Sequence, residues 1–133
     1  MTHTELLELA GKAIGIKKDD SPYNGGGIGN TGFDMLGNMV TDWHNGKRWN
    51  PLEDDGDALR LAVKLGLHVM QYPIYDEPKH SAIAKKSARL LDDTCVDTCV
   101  GIEVYDSDPY AATRRAIVRA AAEIGRQMEE SND

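Results

Sequence analysis

From Asp108 onward the chain pairs a strong helix start with an inward face made of side chains that have almost no size. Asp108 can cap the orphan amides of a first turn, and Pro109 at the first helical position forfeits no intrahelical hydrogen bond. Ala112, Ala116, Ile117, Ala120, Ala121, Ile124 and Met128 then recur at three- and four-residue spacing. Such a face lets two backbones approach closely, so it calls for a flat partner, and a β-sheet is the expected one.

Two further helices are read from the same signals. Leu6, Leu7, Ala10, Ala13 and Ile14 give Thr2 to Ile14 one apolar stripe, with Thr2 and Glu5 spaced as a capping box and Gly15 as the stop. Asp54 to Leu65 has Asp54 as N-cap, Asp57 three residues on and Gly66 beyond its end. Its apolar residues Ala58, Leu59, Leu61, Ala62, Val63 and Leu65 leave only a narrow strip near Arg60 and Lys64 for water, which predicts a helix central to the core.

Strands are read between the helices. Asn45-Gly46 is the strongest hairpin signal, predicting antiparallel pairing of Phe33 to Trp43 with Lys47 to Trp49. Leu67 to Tyr75 alternates, with Pro73 limiting it to an edge or ending it. Ser81 to Lys86 and Cys95 to Tyr105 follow, with a turn over Arg89 to Asp93 and with Val100, Ile102 and Val104 on one face. Lys17 to Gly32 has glycines and Pro22 but no apolar period, and reads as a loop.

At 133 residues, 41% of them apolar, one α+β domain spanning 1–133 is expected, able to fold without a metal, cofactor or disulfide framework. The order of elements predicts an antiparallel sheet of about 4–5 strands with three helices, packed as an α-β-α sandwich. The alternative places all helices on one face and leaves the other wet, as the polar residues Thr41, Lys47 and Glu103 allow. A net charge of −7 repels phosphate, which disfavours nucleic acid; Lys and Arg scattered among the carboxylates also argue against an acidic DNA mimic. Arg60, Lys64 and Gln71 interrupt the longest apolar windows, and no charged leader precedes one, so a cytoplasmic protein without a membrane span is expected.

The stretch Trp49-Asn50-Pro51-Leu52-Glu53-Asp54-Asp55-Gly56-Asp57-Ala58-Leu59-Arg60-Leu61-Ala62-Val63-Lys64-Leu65 resembles small bacteriophage and prophage proteins grouped as the phage alpha-beta-alpha sandwich domain family. So does Asp108-Pro109-Tyr110-Ala111-Ala112-Thr113-Arg114-Arg115-Ala116-Ile117-Val118-Arg119-Ala120-Ala121-Ala122. Together they cover about a quarter of the chain. The resemblance implies the sandwich fold and a setting in the cytoplasm of an infected or lysogenic bacterium, where accessory proteins bind host or phage factors. It implies no activity.

Several constellations could carry chemistry, and each has a simpler reading beside it. Gly27-Ile28-Gly29-Asn30-Thr31-Gly32 fits GxGxxG within the glycine-rich segment 25–32, yet no apolar strand precedes it and no βαβ unit surrounds it, which favours a loop over a phosphate cradle. Glu53, Asp54, Asp55 and Asp57, with His44 and Trp49 upstream, could hold a divalent metal or act as acid and base; carboxylates at a helix start also serve as caps and complement the dipole. Cys95 and Cys99 with His68 and His80 suffice in number for zinc, but C-x3-C in a strand spreads the thiols by roughly 13 Å. Arg115, Arg119 and Arg126 form a stripe on the last helix with Arg114 beside it, suited either to phosphate or an acidic partner or, through Glu123 between Arg119 and Arg126, to a solvated ion-pair face.

No nucleophile elbow and no HExxH-type spacing is present, so catalysis has no support in the sequence. The leading expectation is a non-enzymatic interaction domain that binds a protein partner or itself. Trp43, Trp49, Tyr23 and Tyr75 are its aromatic anchors, and His44, Asp54, Asp57, Arg115, Arg119 and Arg126 complete the candidate binding residues. The rival is a small nucleotide- or metal-binding hydrolase using segment 25–32, His44 and the acidic cluster 53–57.

Overall fold

The computed structural model describes residues 2–15, 32–33, 39–42, 47–73, 80–89, 91–93 and 95–131. Helix α1 (His3–Ala13) begins on the expected capping box: Thr2 Oγ1 accepts from Glu5 N at 3.2 Å, and the Glu5 carboxylate accepts from Thr2 N at 2.7 Å. These bonds hold the Glu5 carboxyl below the usual carboxylate range. Three short strands follow: β1 (Gly32–Phe33), β2 (Met39–Asp42) and β3 (Lys47–Trp49). Helix α2 (Asp55–Leu65) starts where Asp54 Oδ2 accepts from Asp57 N at 2.7 Å, and ends at Gly66, whose φ of 68° suits a residue without Cβ. Strands β4 (His68–Pro73), β5 (His80–Arg89) and β6 (Cys95–Tyr105) lead to helix α3 (Pro109–Ser131), capped by Asp108 Oδ1 accepting from Ala111 N at 3.0 Å. No helix among the described residues is long and apolar enough to cross a membrane.

The α+β class is as expected, but the strands form two antiparallel sheets of three instead of one sheet of four or five. In the first, ordered β1-β2-β3, Met39 faces Trp49 and Val40 faces Arg48. The antiparallel pairing expected there is present, while the Asn45-Gly46 turn lies outside the described residues. The segment expected as one strand from Phe33 contributes both β1 and β2, so its residues pair with each other in a small separate ladder. In the second sheet, ordered β4-β5-β6, Met70 faces Ile83 and Ile83 faces Ile102. β5 runs to Arg89, pairing with Cys95, and therefore takes in the first residue of the expected turn.

Layering departs from the sandwich in a way the side-chain sizes explain. Ala112, Ala116 and Ala120 of α3 are fully buried on the side that meets β5, with its buried Ala82 and Ala84, and the backbone of β6. At Gly101 the approach is so close that a Cβ would overlap the Ala116 carbonyl oxygen and stand 2.8 Å from Ala120 N. A second close approach occurs on the other side of α3, where a Cβ on Gly125 would overlap the carbonyl oxygen of Leu9 and stand 2.8 Å from its carbon. Val118 and Ala122 are buried there too. Since α3 is buried on both sides, α1 and α2 pack chiefly on α3 and not across the sheet. Among the described residues no helix lies over the far face of β4-β5-β6, which is the arrangement with one face wet. Val100, Ile102 and Val104 remain 43%, 49% and 51% exposed.

Candidate functional site

Strand alternation sorts the second sheet into two faces. Gln71, Ala82, Ala84, Gly101, Glu103 and Tyr105 point to α3; Met70, Tyr72, Ser81, Ile83, Lys85, Val100, Ile102 and Val104 point away, as their register pairs require. Across the outward face run two rows, Met70–Ile83–Ile102 and Tyr72–Ser81–Val104. Tyr72 Oη donates to Met70 Sδ at 3.3 Å within it, and Lys85 Nζ lies 3.5 Å from Asp97 at one end. The result is a partly exposed apolar surface with a small charged margin.

A concave site lies on the other side of β4. Asp55, Ala58 and Leu59 of α2, Val69 and Gln71 of β4, and Tyr110, Thr113, Arg114 and Ile117 of α3 enclose a cleft of about 410 Å³. Ile117 is buried at its base, whereas Leu59, Val69 and Tyr110 are exposed. The polar groups are locked: Gln71 Nε2 donates to Thr113 Oγ1 at 2.6 Å, Tyr105 Oη donates to Gln71 Oε1 at 2.6 Å, and Thr113 Oγ1 donates to Pro109 O. Arg114 closes the end, donating to Leu52 O at 2.9 Å and to Asp55 Oδ1 at 2.6 Å. An apolar cleft with a few fixed polar groups is the usual form of a binding site.

Of the residues weighed in the sequence, Asp55 of the acidic cluster and Arg114 beside the arginine stripe line this cleft, and the other candidates among the described residues do not. Trp43, His44, Tyr23, Tyr75 and the glycine segment up to residue 31 lie outside the described residues, so convergence of His44 or that segment with Asp54 is not described. Trp49, expected as an exposed anchor, is buried in the core cluster that also holds Leu52 and Leu61. Asp54 caps α2 and stands 3.8 Å from Arg60. Asp57 is buried, accepting from Asn50 N at 2.9 Å and from Arg60 Nη2 at 2.7 Å, which ties the turn at 51–53 to the helix. These are the capping and tethering roles of the simpler reading.

The arginine stripe is rearranged relative to expectation. Arg119 pairs with Glu103 of β6 at 2.8 Å and not with Glu123, and Arg115 reaches the same oxygen at 3.5 Å. That Glu103 oxygen is buried and lies off any hydrogen-bond direction, so the attraction is coulombic. The sheet brings Glu103 under α3, a long-range contact that helical spacing could not reveal. Arg126 alone takes Glu123, together with Glu130. Its hydrogen bonds hold the Glu123 carboxyl low, and Glu123 and Glu130 push the guanidinium up. Arg119 Nη1 also donates to Ile102 O at 3.4 Å, covering one backbone acceptor on the outer edge of β6.

Cys95 is exposed and Cys99 buried in one extended strand; burial, reinforced by nearby Glu123, pushes the Cys99 thiol up. No three His, Cys, Asp or Glu side chains gather as a metal ion would need among the described residues.

What sequence reasoning missed are Val69, Gln71, Tyr110 and Thr113. The available signal was the surplus of apolar residues on α2: Leu59 and Val63, expected in the core, are 63% and 73% exposed. An 11-residue helix has only one side toward α3, so the excess faces water. Compared with protein-family models, with curated proteins and with solved structures, the chain matches none.

Proposed function

We propose that this chain is a non-enzymatic protein-interaction domain, of the accessory kind that phages and prophages carry into the bacterial cytoplasm. One observation carries the reading: the outward face of β4-β5-β6 holds Met70, Tyr72, Ile83, Val100, Ile102 and Val104 together, uncovered among the described residues. Contiguous apolar surface in water costs roughly 25 cal/mol per Å², and such patches mark interaction sites. The acidic side chains that a hydrolase would need are engaged: Asp54 as a cap, Asp57 with Asn50 and Arg60, and Asp55 with Arg114.

The test is quantitative affinity capture from lysogenic or infected bacterial cells, with wild type and the double variant Ile102→Lys/Val104→Lys as baits. Both positions are about half exposed, so both baits should fold and melt alike. Specific chains held by wild type and reduced at least tenfold on the variant are the expected result. Identical captures from the two baits, or none from either, would refute the reading.

A further inference from the structure

The two edges of the main sheet differ. On β6, Arg119 occupies the outward carbonyl of Ile102, a device that discourages strand addition. On β4 the backbone direction follows from Tyr72, whose carbonyl accepts from Ser81 Oγ and so points to β5. Outward and inward groups alternate along an antiparallel strand, which turns the N–H and C=O of Val69 and Gln71 away from β5. Pro73 falls at the next outward position, where its missing N–H breaks no ladder bond. No side chain among the described residues covers the outward groups of Val69 and Gln71. Their side chains line the 410 Å³ cleft between β4, α2 and α3.

Unpaired strand backbone beside an apolar cleft flanked by a helix is suited to one kind of occupant. We infer that β4 accepts an extended segment of another protein as an added strand, laid between β4 and α2. This deepens the interaction-domain reading and rests on it, although the surface is a different one. Backbone hydrogen bonds to Val69 and Gln71 supply the affinity, and the residues opposite these two, spaced two apart, point into the cleft.

The cleft specifies those two residues. Toward Val69 it is apolar, bounded by Leu59 and Ile117, which selects an aliphatic side chain. Toward Gln71 it ends at Tyr110 and at the starts of α2 and α3, which the Arg114–Asp55 bridge holds together. Glu53, Asp54, Asp55, Asp106 and Asp108 stand at these starts against the guanidinium groups of Arg60 and Arg114, both already paired with carboxylates. That end selects Lys or Arg, and the exposed Tyr110 ring adds a face for the cation. The recognised pattern is aliphatic-x-basic in an extended chain.

Selection of randomised seven-residue peptides displayed on phage, with the full chain as bait, tests this. Expected are enriched sequences with an aliphatic residue and Lys or Arg two positions apart. The best peptide, made synthetically, should lose at least tenfold in affinity when one backbone amide opposite β4 is N-methylated, and likewise against Leu59→Asp, a substitution at an exposed position that leaves the melting temperature close to wild type. No enrichment, enrichment without that spacing, or indifference to N-methylation would overturn the proposal. Peptides that lose affinity to Ile102→Lys/Val104→Lys and not to Leu59→Asp would overturn the cleft while upholding the interaction reading, whereas loss on Leu59→Asp alone is the result expected of the cleft.

Discussion

Replacing Gly101 by alanine should be one of the two most damaging glycine-to-alanine changes in the described structure, with Gly125 the other. The new Cβ would overlap the Ala116 carbonyl oxygen and stand 2.8 Å from Ala120 N, and both obstacles are helix backbone that no rotamer change can move. Relief requires α3 to rise from β6 by about 1 Å, and a gap of that size forfeits about half of each contact's dispersion attraction. The contacts at stake are those on the sheet side of α3, where Ala112, Ala116 and Ala120 lie over Ala82 and Ala84, all fully buried. Overpacking alone costs about 1–3 kcal/mol. With the lost contacts included, we expect about 3–4 kcal/mol, a large part of the ~5–15 kcal/mol that holds a domain together. Urea unfolding followed by circular dichroism measures it, with Gly66→Ala as control. Gly66 meets nothing within 4 Å and pays only for its φ of 68°, about 1 kcal/mol. If Gly101→Ala loses no more than Gly66→Ala at equal m-value, α3 does not seat on the sheet as argued.

Three further outcomes are expected. Asp57→Ala leaves Asn50 N and Arg60 without their buried acceptor and should cost about 1–3 kcal/mol in the same assay, whereas Asp54→Ala removes only a cap and should cost about 0.5–2 kcal/mol. A double-mutant cycle of Glu103→Gln with Arg119→Gln should give a coupling of about 1 kcal/mol or less, since half of the Arg119 side chain is in water; salt should weaken it. Cys99, with its thiol raised above the ordinary 9.0, stays protonated in the fold where the unfolded chain would ionise. Its contribution is therefore complete at neutral pH and is lost as pH climbs past about 9. Unfolding midpoints of wild type and Cys99→Ala at pH 7 and 10 check the sign, and alkylation at pH 8 should modify exposed Cys95 well before Cys99.

Local chemistry was sufficient for the starts of the three helices and the stop of α2, though not for the strand boundaries. Thr2 with Glu5, Asp54 with Asp57, Asp108 with Pro109, and Gly66 act within a turn of themselves, and each does in the fold what its spacing implied. Pro73 likewise placed β4 at an edge, because the missing N–H is a property of the residue alone. The sheets and layers required contacts between distant segments. Whether α3 buries one side or two depends on Gly101 and Gly125, whose meaning appears only when Ala116 and Leu9 come against them. A glycine inside the run Val100-Gly101-Ile102 was a legible hint of close backbone approach, but not of which backbone.

Binding features divide in the same way. Periodicity alone determined that Val100, Ile102 and Val104 share a face, and that α2 carries more apolar side chains than one buried stripe can use. Only tertiary structure decided which apolar residues remain in water, because burial is settled by the partner an element meets. Once α3 took both the sheet and the other helices, one sheet face and the Leu59–Val63 side of α2 were left without cover among the described residues. The arginine partners were decided in the same step: Glu103 lies sixteen positions before Arg119 and reaches it only through the turn from β6 into α3.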